Sequence, residues 1–151
     1  MPTIEQAVEI ERPAPAVWAV LEDVRRLPEF SGSTVAVREA PERLTAAGQT
    51  FHQEVKVLGR RFDSEWVVKE LDPGRRLTIE GDVGYGVRYC LEESLEALGP
   101  ERCRFGLRID YRLPLGVFGR MAGRLGVERR AEAEAAEVVA GMKRLVEGEA
   151  P

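Results

Sequence analysis

The chain has little of what metal and nucleophile chemistry requires. Its 151 residues include one histidine, His52, and two cysteines, Cys90 and Cys103. Two thiols outside a CxxC pair cannot complete a zinc site, so we expect no metal, no cofactor and two reduced cysteines. The alternation of His52 with Phe51 predicts that the imidazole faces solvent if Phe51 faces inward. The sequence contains no nucleophile, metal or cofactor motif.

Long apolar runs and an excess of basic charge are also lacking. Because no stretch approaches about 18 apolar residues, no transmembrane segment is predicted. Residues 1–5 have neither the basic start nor the apolar stretch of a signal peptide, so we expect a cytoplasmic location. A net charge of -4 disfavours nucleic-acid binding, which usually requires a basic surface. We expect a monomer or a weak homodimer.

The composition that is present is that of one globular domain. Hydrophobic residues make up 44% and charged residues 32% of the chain. A chain of this length buries roughly 70% of its unfolded surface and can fold without disulfides or metals. We expect a single domain over residues 1–147 and a frayed tail over 148–151.

The hydrophobic period changes twice along the chain, which predicts an α+β fold. Period-two alternation predicts strands at 3–11, 34–39, 49–58, 62–71, 76–80, from the loop 81–84 to about Leu95, and at 102–113. Two short helices are predicted after the first strand, and a helix within 115–147, with a break or kink at Gly126. Short turns imply hairpins, hence an antiparallel sheet of about seven strands. Only the long C-terminal helix could cover its apolar face.

Local motifs resemble one superfamily over almost the whole chain. The matching segments are 10–18 (IERPAPAVW), 27–30 (LPEF), 48–51 (GQTF), 58–61 (LGRR), 66–77 (WVVKELDPGRRL) and 111–114 (YRLP). They resemble the START-like, or SRPBCC, helix-grip superfamily, and within it the bacterial polyketide cyclase/dehydratase and lipid-transport group. The resemblance implies a curved sheet wrapped around the C-terminal helix and a hydrophobic ligand cavity between them. It does not imply which ligand, because a shared fold does not carry a shared activity.

A set of inward positions and loop residues is predicted to contact a ligand in that cavity. The apolar candidates are Phe51, Phe62, Trp66, Ile79, Tyr89, Phe105, Leu107 and Ile109, with Tyr85, Phe118, Met121 and Leu125 at the mouth. Gln53 and Ser64 lie among apolar neighbours, where polar groups can orient a ligand. The alternative for the aromatic residues is ordinary core packing, and for the two polar residues it is local hydrogen bonding.

Glu128 is the carboxylate that the helical period singles out. It falls inside the apolar stripe, near the directions of Met121 and Val146, and Glu132 follows one turn later. A partly buried pair of carboxylates would raise one pKa, as a general acid requires. Alternatively, both pair with arginines or lie at the frayed start of a helix. Glu128 is therefore a candidate both for orienting a ligand and for proton transfer.

Three functions remain open from the sequence. The first is binding or transport of a hydrophobic or amphipathic small molecule, such as a lipid, quinone or polyketide. The second is an enzyme of the cyclase or dehydratase type, which the resemblance allows and which would use a pocket carboxylate. The third is an interaction module that acts through its surface, which predicts a filled interior and either a large exposed apolar patch or a stable oligomer.

Overall fold

The structure, a computed structural model, describes residues 3–113 and 121–149, with side chains described from Gly126 onward in the C-terminal helix. The strands are β1 (Thr3–Ile10), β2 (Thr34–Arg38), β3 (Thr50–Val57), β4 (Arg60–Asp72), β5 (Arg76–Asp82), β6 (Arg88–Gly99) and β7 (Arg102–Arg112). The helices are α1 (Ala14–Glu22), a 3₁₀ helix (Val24–Glu29) and α2 (Met121–Gly148). The predicted fold class is confirmed.

The seven strands form one antiparallel sheet in the order β1-β7-β6-β5-β4-β3-β2. Strands β2 to β7 pair with their sequence neighbours, and β1 closes the order beside β7. Two of the turns use glycine at positive φ, Gly59 at 78° and Gly74 at 78°, a conformation that costs glycine little. The hairpins were predicted from these turns, and the sheet follows from them.

One face of the sheet is apolar and packs against the helices. Alternate residues along β7, including Cys103, Phe105, Leu107, Ile109 and Tyr111, are buried, whereas the residues between them lie on the other face. This is the period-two pattern that a half-covered strand requires. The helix α2 contacts β1 and β7 across this face, so the space between sheet and helix is the interior of the molecule.

The helix α2 runs without interruption from Met121 to Gly148, so of the break or kink predicted at Gly126 the break is wrong, and the kink stays a prediction. A glycine inside a helix costs only about 1 kcal/mol relative to alanine, which the remaining residues of this 28-residue helix outweigh. The buried stripe of α2 consists of Ala131, Ala135, Val139, Met142 and Val146.

Two further expectations concern the membrane and the cysteines. Within residues 3–113 and 121–149, no helix is long and apolar enough to cross a membrane. Cys90 and Cys103 are both free, as predicted, and burial raises the pKa of each thiol.

Candidate functional site

A cavity of about 50 Å³ lies between the sheet and α2. Its walls come from the 3₁₀ helix and the segment after it, from strands β2 to β7, and from α2. The lining residues are Leu27, Phe30, Ser31, Ser33, Thr34, Gln53, Val55, Trp66, Ile79, Val83, Tyr89, Leu91, Glu93, Leu107, Ile109, Glu134 and Val138. We call this space the inner cavity. It has room for a small chemical group but not for a whole lipid or polyketide.

A larger groove of about 340 Å³ opens at the end of the sheet where α2 begins. Apart from Arg130 it is lined mainly by apolar side chains: Val57, Leu58, Val83, Tyr85, Val87, Tyr89 and Val127, together with Gly84 and Gly126. We call it the outer groove. At its rim Leu58 is 81% exposed and Tyr85 is 46% exposed, which is unusual for large apolar side chains.

The loop between β5 and β6 forms one wall of the outer groove and is held in a fixed shape. The Val83 N–H donates to the Val87 carbonyl at 2.9 Å, and the Val87 N–H donates to the Gly84 carbonyl at 3.0 Å. Within this turn, the Tyr85 ring packs edge-on against Phe62, with ring centroids 5.1 Å apart. A preformed wall lowers the ordering cost of binding a ligand.

Val83 and Tyr89 line both spaces, so the inner cavity and the outer groove are adjacent. The Tyr89 ring therefore lies at the boundary between them. Burial is the main cause that raises the pKa of Tyr89 far above its ordinary value, and the nearby Glu134 carboxylate adds to it. The Tyr89 hydroxyl thus stays protonated and remains a hydrogen-bond donor at all physiological pH values.

Several polar side chains of the inner cavity region bond to one another. The Thr34 hydroxyl donates to Gln53 Oε1 at 2.9 Å, and Ser31 Oγ lies 3.2 Å from Thr34 Oγ1. On the neighbouring strand, the Trp66 indole N–H donates to Ser64 Oγ at 3.0 Å. Local hydrogen bonding, the alternative left open by the sequence, therefore holds for the Ser64 hydroxyl and for the Gln53 carbonyl.

Glu93 is a buried carboxyl on the inner face of β6. Its exposed fraction is 4%, and Oε2 has no hydrogen-bond partner among the described residues. Burial raises the pKa of Glu93 to about 7, so that the acid and the carboxylate are both populated near neutrality. An unpaired buried carboxyl is costly for folding, which makes it a candidate functional group.

A second carboxyl reaches the inner cavity from α2. Glu134 Oε1 lies 2.6 Å from Arg130 Nε, one helical turn earlier, although the two groups are not aligned as a hydrogen bond. Burial raises the pKa of Glu134, and the Arg130 charge opposes that rise. Arg130 also lines the outer groove, so this ion pair stands where the two spaces meet.

The structure brings seven of the fifteen predicted ligand residues to these two spaces. Gln53, Trp66, Ile79, Tyr89, Leu107 and Ile109 line the inner cavity, and Tyr85 and Tyr89 line the outer groove. Phe51 and Phe105 are fully buried in the core, and Phe62 is half-buried beneath the Tyr85 ring. Phe118 lies outside the described residues, as do the side chains of Met121 and Leu125.

Glu128 lies on the same side of α2 as Ala135 and Val146, as the helical period predicts. It is half-buried and is not among the residues lining the two spaces, which receive Glu134 from this helix instead. Glu132 is exposed. On the other face of the sheet, half-buried His52 lies with Nε2 3.2 Å from Glu39 Oε2.

Glu93, Arg130 and Glu134 were missed from the sequence although each carried a signal. Glu93 lies an even number of residues from Tyr89, Leu91 and Leu95, so it shares their face of the strand and points inward. Arg130 and Glu134 stand four residues apart, the spacing of a helical ion pair.

Comparison with known proteins points to one family. The family model described as polyketide cyclase/dehydrase and lipid transport matches residues 1–147. No curated protein matches the chain.

Several solved structures are similar in fold at low sequence identity. A protein from Thermus thermophilus is 19% identical, with a TM-score of 0.77, over 99% of this chain and 100% of that one. A START superfamily protein from Mycobacterium smegmatis is 16% identical, with a TM-score of 0.72, over 98% and 99%. The Zhui aromatase/cyclase from Streptomyces sp. R1128 is 24% identical, with a TM-score of 0.72, over 96% and 95%. The chain therefore belongs to the polyketide cyclase/dehydrase and lipid transport family, and its helix-grip fold is similar to that of the START superfamily and aromatase/cyclase structures.

Proposed function

We propose that the protein binds a hydrophobic or amphipathic small molecule, such as a lipid, a quinone or a polyketide, between its sheet and α2. The observation that carries this proposal is the outer groove of about 340 Å³, whose mainly apolar walls adjoin an inner cavity that contains a few polar side chains. Ligand pockets usually measure roughly 300–1,000 Å³ and combine apolar walls with a few polar groups. In this arrangement the ligand body occupies the outer groove and one end points towards the inner cavity.

Apolar burial would supply most of the binding free energy, at about 25 cal/mol per Å². Val57, Val83, Val87 and Val127 would cover the ligand body, with Tyr85 and Leu58 at the rim. The polar residues of the inner cavity would set the orientation of the ligand. A transport role would require the ligand to leave as readily as it enters, and the exposed rim is the exit that this proposal assigns.

The direct test is to fill the outer groove with a side chain of the protein. Gly126 lies on α2 at the groove, and a Cβ added there meets no atom within 4 Å. Gly126→Trp should therefore place an indole at the groove without a clash at its Cβ. Gly148→Trp is the matched control, because Gly148 lies at the far end of the same helix and a Cβ there also meets nothing within 4 Å.

The probe is N-phenyl-1-naphthylamine, a neutral apolar fluorophore that brightens on leaving water. We expect saturable binding to the wild type and to Gly148→Trp. Gly126→Trp should bind about tenfold or more weakly, because a loss of about 55 Å² of apolar burial at 25 cal/mol per Å² is a factor of ten. Absence of saturable binding to the wild type, or equal affinity in all three proteins, would contradict the proposal.

A second function, the cyclase or dehydratase type of enzyme, is favoured by one observation. Two carboxyls with raised pKa values, Glu93 and Glu134, line the inner cavity, which Tyr89 also lines. A carboxyl with a pKa near the working pH can both give and accept a proton. Glu128, which the sequence singled out, lies close to the groove residues Gly126 and Val127 and is the alternative carboxyl.

The enzyme proposal is tested by turnover of a linear poly-β-keto thioester, followed by mass spectrometry for loss of water. If a carboxyl transfers protons, turnover should fall at least about 100-fold in the matching variant among Glu93→Gln, Glu134→Gln and Glu128→Gln. A variant with unchanged turnover removes that residue from the mechanism. If the wild type shows no turnover, the enzyme proposal is wrong and only the binding function is retained.

A further inference from the structure

Glu93 is a cavity-lining carboxyl that a purely apolar binding site does not need. Its side chain is 96% buried, from an exposed fraction of 4%, and Oε2 has no partner among the described residues. The residues directly opposite it in the sheet are Leu77 on β5 and Leu107 on β7, which offer no side-chain donor. The carboxyl lines the inner cavity, so this cavity is where a donor could reach it.

The position of Glu93 along β6 places it deeper than the outer groove. Tyr89 and Glu93 are four residues apart on the same face of the strand, which corresponds to roughly 13 Å at 3.3 Å per residue. Tyr89 lines both spaces, whereas Glu93 lines only the inner cavity. A ligand that enters from the groove therefore meets Tyr89 first and Glu93 at its far end. A cavity of about 50 Å³ accepts only a small terminal group there.

The charges along this route select the nature of that terminal group. Arg130 lines the outer groove, and its positive charge repels a ligand whose leading end is cationic. Glu93 and Glu134 both line the inner cavity and repel an anionic end. Burying an ion without full compensation also costs several kcal/mol, as a general property of protein interiors. A neutral group that can donate a hydrogen bond satisfies Glu93 without either penalty.

We propose that Glu93 is the recognition residue for a hydroxyl at the buried end of the ligand, so that the ligands of this site are phenols or alcohols with an apolar body. The inference rests on the proposed function, since it assigns the polar end of the molecule whose body lies in the outer groove. The ligand hydroxyl donates to the Glu93 carboxyl, which thereby gains a hydrogen-bond partner from the cavity side. A hydroxyl bonded to an ionised partner forms the stronger, charge-assisted type of hydrogen bond.

Two probes that differ only in the donor test this proposal. They are 4-octylphenol and 4-octylanisole, whose oxygen carries a methyl group in place of the hydrogen. Calorimetric titration of the wild type should give at least about tenfold tighter binding of the phenol, as expected for a hydrogen bond to a partly charged group. The anisole should still bind through its octyl chain and ring.

Substitutions at two neighbouring residues then separate the donor effect from general changes. In Glu93→Leu the preference for the phenol should disappear, while anisole binding persists. This variant removes an unpaired buried carboxyl and replaces it with an apolar group of similar size, so it should fold well. Glu92→Leu is the control, because Glu92 is the next residue of β6 and faces the other side of the sheet. It should keep the wild-type preference.

The dependence on pH gives an independent signature of the carboxyl. Glu93 has a pKa of about 7 and therefore changes its charge near neutral pH. The other titratable side chains that line the inner cavity are Glu134, which is paired with Arg130, and Tyr89, which stays protonated. A donating hydroxyl favours the carboxylate form, so the preference for the phenol should grow several-fold between pH 6 and pH 8. The preference should be independent of pH in Glu93→Leu.

The possible failures are distinct. If neither probe binds the wild type, the proposed function and this inference both fail. If both probes bind with equal affinity, the binding function stands and the hydroxyl subsite is wrong. A preference that grows as the pH falls would also overturn the inference, because Glu93 would then act as a donor to the ligand.

Discussion

The two ends of the space between the sheet and α2 are built in different ways. At one end, which we call the closed end, Ile10, Val17, Cys103 and Phe105 are all fully buried with no exposed surface. At the other, the open end, the apolar side chains of the outer groove surround about 340 Å³ of space. The same sheet and the same helix form both. Close packing and open space are therefore properties of different parts of one fold.

Polar contacts reinforce the difference by fastening α2 at the closed end. Lys143 Nζ donates to the Glu9 carbonyl at 2.8 Å, and the Glu11 N–H donates to Glu147 Oε2 at 2.9 Å. The bond from the Glu11 N–H and, after it, the bond from the Lys143 ammonium lower the pKa of Glu147. Arg12 also donates to the Glu149 carbonyl at 2.9 Å. The C-terminal half of α2 is thereby anchored to β1 and to the segment that follows it.

The largest expected effect comes from removing an aromatic ring at the closed end. Phe105→Ala should lower the free energy of unfolding by about 3–5 kcal/mol, because it leaves a cavity in a fully packed region. Val87→Ala at the open end should cost only about 1 kcal/mol, since its neighbours already border empty space. Urea denaturation measures both. Equal losses would mean that the two ends are packed alike.

The second effect is the dependence of stability on the charge of Glu93. The pKa of Glu93 is about 7 in the folded protein and near its ordinary value when unfolded, so the folded state binds the proton more tightly. The free energy of unfolding should therefore fall as the pH rises from about 4.5 to about 7, by about 3 kcal/mol from this group. In Glu93→Gln that part of the decrease should be missing. Parallel stability–pH curves for the two proteins would refute a buried, unpaired carboxyl.

A third comparison applies one substitution to both ends of α2. At Gly141 an added Cβ would lie 2.6 Å from the Phe30 carbonyl oxygen, so Gly141→Ala should destabilise by about 1–3 kcal/mol. At Gly126 nothing lies within 4 Å, and Gly126→Ala should stabilise by about 0.5–1 kcal/mol through helix propensity. Thermal unfolding of both variants measures whether each substitution raises or lowers stability. The same sign at both positions would remove the contrast between the ends.

The smallest effect concerns the polar anchor of α2. Lys143→Met should cost about 0.5–1.5 kcal/mol, because the Glu9 carbonyl and the Glu147 carboxylate lose a donor. The neighbouring exposed Arg144 provides the control, and Arg144→Met should change stability by less than about 0.5 kcal/mol. Chemical denaturation resolves this difference, and an equal effect of the two substitutions would argue against the anchor.

The sequence was sufficient for the fold because its signals are local. Alternation along 102–113 and the turn at Gly74 each depend on a few neighbouring residues, and both correspond to observed structure. The predicted break at Gly126 failed because the cost of one glycine is small compared with the packing of a long helix. Tertiary packing decides such cases, and composition does not reveal it.

The site was only partly predictable for a related reason. Inward positions such as Gln53 and Ile79 follow from strand alternation, and they line the inner cavity. Alternation also places Glu93 inward, but whether a buried carboxyl finds a partner depends on side chains from distant strands and from α2. The space that remains between small and large side chains is likewise set by the placement of the helix. It could not be read from any one segment.

The most direct test of this account is a map of amide chemical-shift changes in ¹⁵N-labelled protein on titration with 4-octylanisole. This probe has the apolar body of the proposed ligands and does not depend on Glu93. We predict saturable changes at the open end, in Val57 and Leu58, in the loop from Val83 to Tyr89 and in Val127, and no changes at Ile10, Val17 or Phe105. Changes centred on the closed end or on the outer face of the sheet, or no changes at saturating probe, would contradict the claim that the open end is the binding site.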